Sequence, residues 1–335
     1  MLPTLLWSNT NANTVQCHAC AHACVLKSGM RGICGARLNQ NGRLVSVLTD
    51  IVSTVQMDPV EKKPLYHFLP GSQTFSIGSV GCNFHCNYCQ NCHISVIPKS
   101  GVISGRRVNA EALINLAVAK HAKSISFTYN EPTLSVELIQ EVAERALAYQ
   151  MPIVLVSNGF MSEDFIVLLR NYVHAVNIDL KAFSDKFYRE YCGGRLKPVL
   201  DTLKRIKFDT SWWLEVTTLV IPDLNDSPEQ IRECANFIKN ELGDEVPWHL
   251  TAFHGAHKMQ QHPSTSIDQL QLAWRIGKET GLRYVYMGNV SKVVGGNTYC
   301  PVCSELVVER SPWKIAVSPK GICRKCGAQI PGVWR

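Results

Sequence analysis

The sequence Gly81-Cys82-Asn83-Phe84-His85-Cys86-Asn87-Tyr88-Cys89-Gln90-Asn91-Cys92 directly follows a run of strand-forming residues. Three of its cysteines, Cys82, Cys86 and Cys89, have CxxxCxxC spacing, and we call the segment from Cys82 to Cys89 the CxxxCxxC loop. The same spacing would place three small apolar residues on one face of a helix. The intervening residues are poor helix formers, however, and a glycine precedes them. Three thiolates on a short loop instead suit an iron–sulfur cube in which one iron stays open to a chelator with an amine and a carboxylate.

From Thr74 onward, short β-branched runs alternate with longer amphipathic segments. We predict strands at Thr74–Val80, Ser124–Thr128, Ile153–Val156, Ala175–Leu180, Trp213–Ile221, Trp248–Phe253 and Tyr284–Met287. We predict helices at Ala110–His121, Leu134–Gln150, Glu163–Asn171, Lys197–Lys207, Pro228–Leu242 and Ile267–Thr280. This alternation predicts an α/β fold with a parallel sheet. Chemistry gathers at the carboxyl ends of such strands, so polar residues directly after a strand are the first site candidates.

The chain divides into three predicted parts. Residues 1–72 form an N-terminal cysteine-rich segment, which closes with a charged, proline-rich linker or connecting loop. Residues 73–296 form the parallel α/β unit, and residues 297–335 form a small appended module. Within the first part, Asn41-Gly42 predicts a hairpin turn between two strands.

Composition excludes several classes of protein. The 335 residues are 46% hydrophobic and 18% charged, which favours a packed core over disorder. We find no apolar run of 18 residues and no positively charged start, so we expect neither a transmembrane helix nor a secretory signal. The formal net charge of +7 is mild and no polybasic run occurs, so we do not expect a nucleic acid partner. Of 14 cysteines, 12 fall into three clusters, which predicts metal binding in the reducing cytoplasm.

Two cysteine groups flank the parallel unit. The N-terminal group is Cys17, Cys20, Cys24 and Cys34. Four thiols in so short a stretch suit zinc in a closed structural site, with a second iron–sulfur cluster as the alternative. The C-terminal group is Cys300, Cys303, Cys323 and Cys326. Its two CxxC pairs predict a zinc ribbon, with a rubredoxin-like iron on the same ligands as the alternative.

Three further cysteines have no predicted metal. Cys92 follows the CxxxCxxC loop, and we predict that it is a small packed residue. Cys234 lies in an apolar-periodic helix and is a predicted core residue. Cys192 precedes two glycines on a loop, where a position near the site is one alternative.

The CxxxCxxC spacing, with the aromatic Tyr88 before the third cysteine and a strand before the first, resembles the radical S-adenosylmethionine (radical SAM) superfamily. The loop resembles its branch of pyruvate formate-lyase-activating enzymes, and the order of motifs along nearly the whole chain resembles the AmmeMemoRadiSam system radical SAM enzymes. These motifs are Cys17–Arg37, Asp58–His67, Pro70–Ser72, Tyr129–Pro132, Asn177–Lys181, Thr217–Asp226, Phe253-His254 and the terminal cysteine region up to Trp334. The chain departs from that pattern at Cys92, where the family has Trp, and at Gly255, where it has Pro.

The resemblance implies a partial (β/α)6 radical SAM barrel with a 4Fe-4S cluster on the CxxxCxxC loop and S-adenosylmethionine on its open iron. Asn130 and Glu131 stand where the superfamily binds the amino group of S-adenosylmethionine. Asp179 and Lys181 stand at a motif that lies beside it, and Tyr88 belongs to the cluster signature. Each motif has a plainer alternative, because Asn130-Glu131-Pro132 is also a helix cap and Asp179 with Lys181 is also an internal ion pair.

Strand-end position adds four candidates for contact with the nucleoside or the substrate. Ser157 and Asn158 follow one strand, Thr217 lies late in the next but one, and His254 follows the sixth. A turn or loop residue without a ligand is the alternative for each of them.

The resemblance implies reductive cleavage of S-adenosylmethionine to a 5′-deoxyadenosyl radical, which takes a hydrogen atom from a protein or small-molecule substrate. It implies a reductant such as flavodoxin or ferredoxin, and partner proteins of the AMMECR and Memo types. The alternatives are a glycyl-radical-enzyme activase, an RNA-modifying radical SAM enzyme and a non-enzymatic metal-binding scaffold.

Overall fold

The N-terminal segment is built from short antiparallel strands. The structure, a computed structural model, describes residues 4–97, 105–290, 295–311 and 315–334. The first six strands are β1 (Trp7–Asn11), β2 (Thr14–Cys17), β3 (Val25–Lys27), β4 (Arg37–Gln40), β5 (Arg43–Ser46) and β6 (Ile51–Val52). Between β4 and β5, Asn41 and Gly42 both have positive φ (54° and 83°). This geometry belongs to a two-residue hairpin turn, so the predicted hairpin is confirmed.

A single eight-stranded sheet forms the centre of the molecule. β7 (Thr54–Pro59) pairs antiparallel with β8 (Gln73–Gly78), and the short helix α1 (Cys92–Ser95) and β9 (Arg106–Arg107) follow. The remaining strands of the sheet are β10 (Ser124–Phe127), β11 (Ile153–Ser157), β12 (Val173–Asp179), β13 (Trp213–Val220), β14 (Trp248–Ala252) and β15 (Val285–Gly288). The order is β15-β14-β13-β12-β11-β10-β8-β7, and every pair except β8 with β7 is parallel. The predicted α/β fold with a parallel sheet is confirmed.

Helices connect the parallel strands, as the alternation predicted. They are α2 (Ala110–Ala119), α3 (Val136–Ala146), α4 (Glu163–Leu169), α5 (Asp185–Phe187), α6 (Leu196–Asp209), α7 (Pro228–Phe237) and α8 (Ile267–Thr280). Five of them begin at a side-chain cap that accepts a backbone N–H of the first turn, namely Asn109, Ser162, Ser184, Ser227 and Ser266. Within the described ranges, no helix combines the length and the apolarity needed to cross a membrane.

The central sheet has one apolar face and one polar face. Phe75, Ile125 and Val216 belong to the main hydrophobic core, which includes the inner sides of the helices. Residues at alternating positions point to the other face. There the side chains of Ser126 and Asn177 are fully buried. A parallel sheet is usually apolar on both faces, so a buried polar face marks this side of the sheet for function.

The stretch 57–73, predicted as a linker or connecting loop, packs on the polar face instead. Residues 60–69, which we call the inner segment, follow the edge strand β7. Val60, Leu65 and Phe68 of this segment are buried against β11 and β12. These apolar residues are scattered among charges and prolines without helical or strand periodicity, which is why the sequence pattern did not predict a packed element.

The C-terminal module attaches to the inner segment. Its strands β16 (Thr298–Tyr299), β17 (Leu306–Arg310) and β18 (Ile315–Val317) form an antiparallel sheet. The guanidinium of Arg310 lies 4.2 Å from the ring centroid of Tyr66 and donates to the Tyr66 carbonyl (2.6 Å). The N–H of Val333 donates to the His67 carbonyl (2.7 Å). The module therefore packs against both the inner segment and the end strand of the sheet, where Tyr286 of β15 shares a core with Val307 and contacts Thr298.

A buried hydrogen-bond network joins the inner segment, the sheet and the C-terminal module. The carboxylate of Glu215 on β13 accepts the N–H of His67 (2.8 Å) and lies 2.6 Å from His249 Nε2. Burial raises the pKa of Glu215, but His249, His67 and the N–H of Tyr66 together outweigh this effect and hold the pKa below its ordinary value. The His67 ring donates from Nδ1 to the Pro331 carbonyl (2.7 Å). Its Nε2 lies 2.6 Å from the Tyr286 hydroxyl oxygen. Burial lowers the pKa of His67 to about 4.

A second buried contact ties the N-terminal segment to the parallel unit. Arg37 of β4 and Glu137 of α3 form a two-pronged ion pair (2.7 and 3.1 Å), and each side chain is only 1% exposed. The N–H of Leu5 also donates to Glu137 (2.9 Å). Because both charges are out of water, each depends on the other for compensation.

We predict that Glu137→Ala lowers the free energy of unfolding by about 3–5 kcal/mol, because it leaves the Arg37 guanidinium buried without a counter-charge. Urea unfolding followed by circular dichroism measures the change. As a control, Asp201→Ala removes the exposed ion pair with Lys197 and costs less than about 1 kcal/mol. Equal losses for the two variants would contradict the buried pair's role.

We predict a pH dependence of stability from His67. Its pKa is about 6.5 when unfolded and about 4 in the fold, so the folded state binds fewer protons between these values. The contribution is complete above pH 6.5 and is lost as the pH falls through 4, roughly 3 kcal/mol in all. Urea midpoints measured between pH 7 and 4 give the slope. His67→Phe flattens the slope, whereas the exposed-histidine control His121→Asn keeps it, and identical slopes would contradict the assignment.

Candidate functional site

On the polar face, the carboxyl ends of the strands surround a cavity of about 700 Å3. Eleven of the residues that the sequence predicted for the cluster and the ligand line it: Cys82, Cys86, Tyr88, Cys89, Asn130, Glu131, Ser157, Asn158, Asp179, Lys181 and Thr217. They come from the loop after β8 and from the ends of β10, β11, β12 and β13. The parallel order of these strands is what brings them together.

The CxxxCxxC loop is held in an irregular shape by backbone hydrogen bonds. The N–H of His85 donates to the Cys192 carbonyl (2.8 Å), and the N–H of Asn87 donates to the Tyr191 carbonyl (2.9 Å). Among the residues that the structure describes, only the C-terminal cysteines bring three or more ligand atoms within 4.8 Å of one another. The thiols of the CxxxCxxC loop are therefore too far apart for a single ion. This spacing fits a cluster, in which each thiolate binds a different iron.

Asn130 fixes the start of the CxxxCxxC loop. Tyr129, just before it, has a left-handed backbone (φ 72°) that turns the chain at the end of β10. The Asn130 amide donates to the Gly81 carbonyl and to Ser79 Oγ (both 2.8 Å), and its oxygen accepts the Ser79 N–H (3.0 Å). Asn130, which we predicted to bind the amino group of the ligand, thus uses its side-chain hydrogen bonds to position the loop.

Glu131 is a buried carboxylate with one open acceptor position. Its Oε1 accepts from Thr133 N (3.2 Å) and Ser157 Oγ (2.8 Å), and its Oε2 accepts from Asn158 N (2.9 Å). Burial raises the pKa of Glu131, while these donors oppose that rise. The bond to Thr133 caps the helical turn that begins at Pro132, so the capping alternative also holds. Each carboxylate oxygen has two lone pairs, which leaves Oε2 free to accept from a ligand in the cavity.

Asn158 links β11 to the cysteine loop. Its Nδ2 donates to Asn83 Oδ1 (2.7 Å) and lies 3.6 Å from Cys82 Sγ. The Asn83 amide in turn lies 3.4 Å from Thr133 Oγ1. The first ligand of the predicted cluster is therefore supported by a side-chain amide from the neighbouring strand end.

Asp179 and Lys181 form an ion pair in the cavity wall. Their side chains meet at 2.9 Å, with Lys181 14% exposed and Asp179 36% exposed. Burial lowers the pKa of Lys181, but the Asp179 carboxylate and the nearby cysteines outweigh this and hold the pKa well above its ordinary value. The ion pair is thus present, and both of its residues line the cavity.

Cys192 lies behind the CxxxCxxC loop. It is buried, and its Sγ lies 3.1 Å from the Tyr88 hydroxyl. Burial raises the pKa of Tyr88 well above its ordinary value, so the phenol stays protonated. Cys192 thus supports the loop from behind through Tyr88 and through its own carbonyl.

Polar residues outside the predicted set line the rest of the cavity. They include Glu61, Lys62, Lys63 and Tyr66 of the inner segment and His249 and Thr251 of β14. The alternation of His249 and Thr251 along a buried strand was a usable signal, because both face the side opposite the core. The inner-segment residues gave no such signal, since only the tertiary structure lays that stretch across the sheet.

Beside the part of the cavity wall that the inner segment forms, two lysines and a tyrosine surround one carboxylate. Asp58 accepts from Lys62 (2.8 Å), Lys63 (2.7 Å) and the Tyr129 hydroxyl (2.5 Å). Burial raises the pKa of Asp58, but these donors outweigh it and hold the pKa far below its usual range. Within the described residues, Thr217 Oγ1 and the second carboxylate oxygen of Glu61 have no partner. Both residues line the cavity, and each keeps one buried polar atom without a partner in the described part of the chain.

His254 lies outside this cavity. Its ring is exposed, with Nε2 3.1 Å from the Asn289 carbonyl and Nδ1 3.4 Å from Ser264 Oγ. β14 ends at Ala252, so His254 is already on the outer loop. The predicted ligand contact His254 is therefore not among the residues that line the cavity, whereas His249 of β14 is one of them.

The C-terminal cysteines converge as predicted. The four ligand atoms of Cys300, Cys303, Cys323 and Cys326 lie within 4.8 Å of one another. Cys300 Sγ lies 3.6 Å from Cys326 Sγ, and Cys303 Sγ lies 3.5 Å from Cys323 Sγ. Four thiolates at about 2.3 Å from one zinc lie about 3.8 Å apart, so this set fits a single tetrahedral ion.

The N-terminal cysteines surround a separate, small cavity. Cys17, Cys20, Cys24 and Cys34 all line it, together with Arg37 and Leu134. Unlike the C-terminal set, they include no three thiols within 4.8 Å of one another. The shared cavity therefore supports the prediction of a metal at these residues, but the thiols do not have the spacing of a single ion.

Comparison with known proteins identifies the superfamily. The Radical SAM superfamily profile matches residues 76–238, which run from β8 into the end of α7. "Uncharacterized protein MJ0808" of Methanocaldococcus jannaschii is 37% identical over 334 residues, covering 98% of this chain and 99% of that protein. "Pyruvate formate-lyase-activating enzyme" of Clostridium pasteurianum is 22% identical over 191 residues, covering 53% of this chain and 76% of that enzyme.

A solved structure shares the fold. A radical SAM methyltransferase from Sphaerobacter thermophilus superposes with a TM-score of 0.51 at 15% identity, covering 91% of this chain and 81% of that one. Membership of this superfamily sets aside the alternative of a non-enzymatic scaffold, and it implies a 4Fe-4S cluster and S-adenosylmethionine. The chain belongs to the radical SAM superfamily and is a radical SAM enzyme.

Proposed function

We propose that the enzyme holds its 4Fe-4S cluster on the CxxxCxxC loop and S-adenosylmethionine in the adjoining cavity. When bound, this pair supplies a 5′-deoxyadenosyl radical by one-electron cleavage, and the radical takes a hydrogen atom from a protein or small-molecule substrate. The observation that carries the proposal is the single cavity that joins the three thiols to the polar ends of four parallel strands. A radical step needs no acid–base pair, which fits the absence of such a pair from the predicted site residues.

The chain's own residues bind and orient the ligand. Glu131 Oε2 is the acceptor for the ligand's ammonium, since Oε1 already has two donors. Asp179 and Lys181 present one acceptor and one donor to the same ligand from the end of β12. Asn130 and Asn158 act on the cysteine loop and keep it in place against these groups.

The far half of the cavity is the proposed substrate position. Glu61 and Thr217 each leave a polar atom without a partner there, and His249 lies beside them in the wall. The inner segment covers the polar face below this position and keeps bulk water out. These features support a polar substrate group that donates to a carboxylate and bonds to a hydroxyl.

The substrate and partners follow from the resemblance rather than from the cavity. We propose a reductant such as flavodoxin or ferredoxin, partner proteins of the AMMECR and Memo types, and the reducing cytoplasm as the compartment. A glycyl-radical-enzyme activase is the second candidate, and the similarity to the Clostridium pasteurianum activating enzyme favours it.

The C-terminal cysteines are the proposed zinc site. The short distances between their sulfurs support one tetrahedral ion, and the strands β16–β18 around them form a compact ribbon. We propose that this zinc holds the module against the inner segment and so keeps the polar face closed.

Replacing all three cysteines of the CxxxCxxC loop by alanine tests the proposed cluster. We expect the variant to lose about four irons per chain and all production of 5′-deoxyadenosine from S-adenosylmethionine after dithionite reduction, while zinc persists. The measurements are anaerobic metal analysis and chromatography of the nucleoside.

The matched control is Cys234→Ala, which removes a buried cysteine of α7. This control keeps its iron and its nucleoside production. A CxxxCxxC variant that still forms 5′-deoxyadenosine would sink the proposed function.

We predict that Lys181→Met raises the KM for S-adenosylmethionine about tenfold or more, because it removes a charge-assisted donor from the cavity wall. Uncoupled 5′-deoxyadenosine formation at varied S-adenosylmethionine measures the change. The control Lys197→Met removes the lysine of an exposed ion pair on α6 and leaves the KM unchanged. An unchanged KM in Lys181→Met would show that Lys181 has only a structural role.

A further inference from the structure

The N-terminal cysteines form a site that the proposed reaction does not use. Cys17 ends β2, Cys20 and Cys24 lie in the loop that follows, and Cys34 lies in the turn before β4. The backbone shapes this loop, because Cys17 N donates to the Cys24 carbonyl (2.9 Å) and Ala23 has a left-handed φ of 46°. Four thiols from two parts of the segment thus line one shared cavity.

The spacing of these thiols differs from that expected for a single tetrahedral ion. In the C-terminal set, all four ligand atoms fall within 4.8 Å. Among the described residues no three N-terminal thiols meet that limit, although all four line the same cavity. A cluster of several irons separates its thiolates more widely, since each one binds a different metal atom.

The cavity between the thiols is also too wide for zinc. It leaves about 20 Å3 in which the centre of a water-sized sphere fits. The centre of a zinc site lies only about 2.3 Å from each sulfur, which leaves no room for a water-sized sphere. The thiols therefore enclose a space suited to a larger inorganic core.

Arg37 supplies a second, independent sign of an anionic occupant. It is 1% exposed and lines the same cavity. Glu137 takes its two terminal nitrogens, but the buried Arg37 Nε has no hydrogen-bond partner. An unpaired buried donor costs about 1–3 kcal/mol. A sulfide or thiolate of a bound cluster would accept this N–H and remove that cost.

We propose that Cys17, Cys20, Cys24 and Cys34 bind a second 4Fe-4S cluster, beyond the one that cleaves S-adenosylmethionine. Full ligation by four cysteines leaves no open iron for a substrate. The site borders the first one, because Thr133 lines the N-terminal cavity and its hydroxyl lies 3.4 Å from the amide of Asn83, the neighbour of Cys82. The two clusters thus share a wall of the protein.

Metal and sulfide counting on the anaerobically reconstituted protein tests this site. We expect about eight irons, eight sulfides and one zinc per wild-type chain. Replacing the four N-terminal cysteines by serine removes about four irons and leaves the zinc. The CxxxCxxC alanine variant also keeps about four irons, and its reduced electron paramagnetic resonance signal is unchanged by S-adenosylmethionine.

Other outcomes overturn the proposal. About four irons with two zincs in wild type would make the N-terminal site a zinc site, and a loss of only two irons would exclude the cube. If the N-terminal variant does not fold, the wild-type iron count and the CxxxCxxC variant still test the proposal. A CxxxCxxC variant without any iron would show that the N-terminal site holds none. Failure of the proposed function looks different, since there the CxxxCxxC variant would lose no iron.

Discussion

Parallel pairing of the seven strands β8 and β10–β15 is the constraint on which the site depends. Strands that run the same way end on the same edge of a sheet, so each loop that follows a strand enters one shared space. The cysteine loop after β8 and the polar groups after β10, β11 and β12 are separated by up to about a hundred residues in sequence, yet they line one cavity. An antiparallel order would have sent half of these groups to the opposite edge.

The buried polar groups of the central sheet need hydrogen-bond partners, and other parts of the chain supply them. A buried carboxylate such as Glu215 needs donors, because bulk water does not reach it. The inner segment supplies backbone N–H groups, β14 supplies His249, and the C-terminal module supplies the carbonyl that orients His67. The terminal module is thus coupled to the interior of the sheet through hydrogen bonds rather than through an apolar contact alone.

The three cysteine groups use the same type of ligand, but the distances between their sulfur atoms differ. The C-terminal sulfurs approach as closely as a single ion requires, whereas the other two groups stay wider. In the CxxxCxxC loop only three thiols are present, which leaves one position of a cube for a ligand. Sequence spacing alone left the N-terminal group open between zinc and a cluster, because CxxC-type patterns serve both.

Local pattern determined the helices, the strands and their parallel order, since apolar periodicity and capping residues are properties of short stretches. It also pointed to the cysteines, whereas the resemblance to a known family pointed to Asn130, Glu131, Asp179 and Lys181. Only the tertiary structure decided that residues 60–69 lie across the polar face, that His249 rather than His254 enters the cavity, and that Arg37 lines the N-terminal cysteine cavity. Those outcomes depend on contacts between residues far apart in the chain, and such contacts leave no period in the sequence.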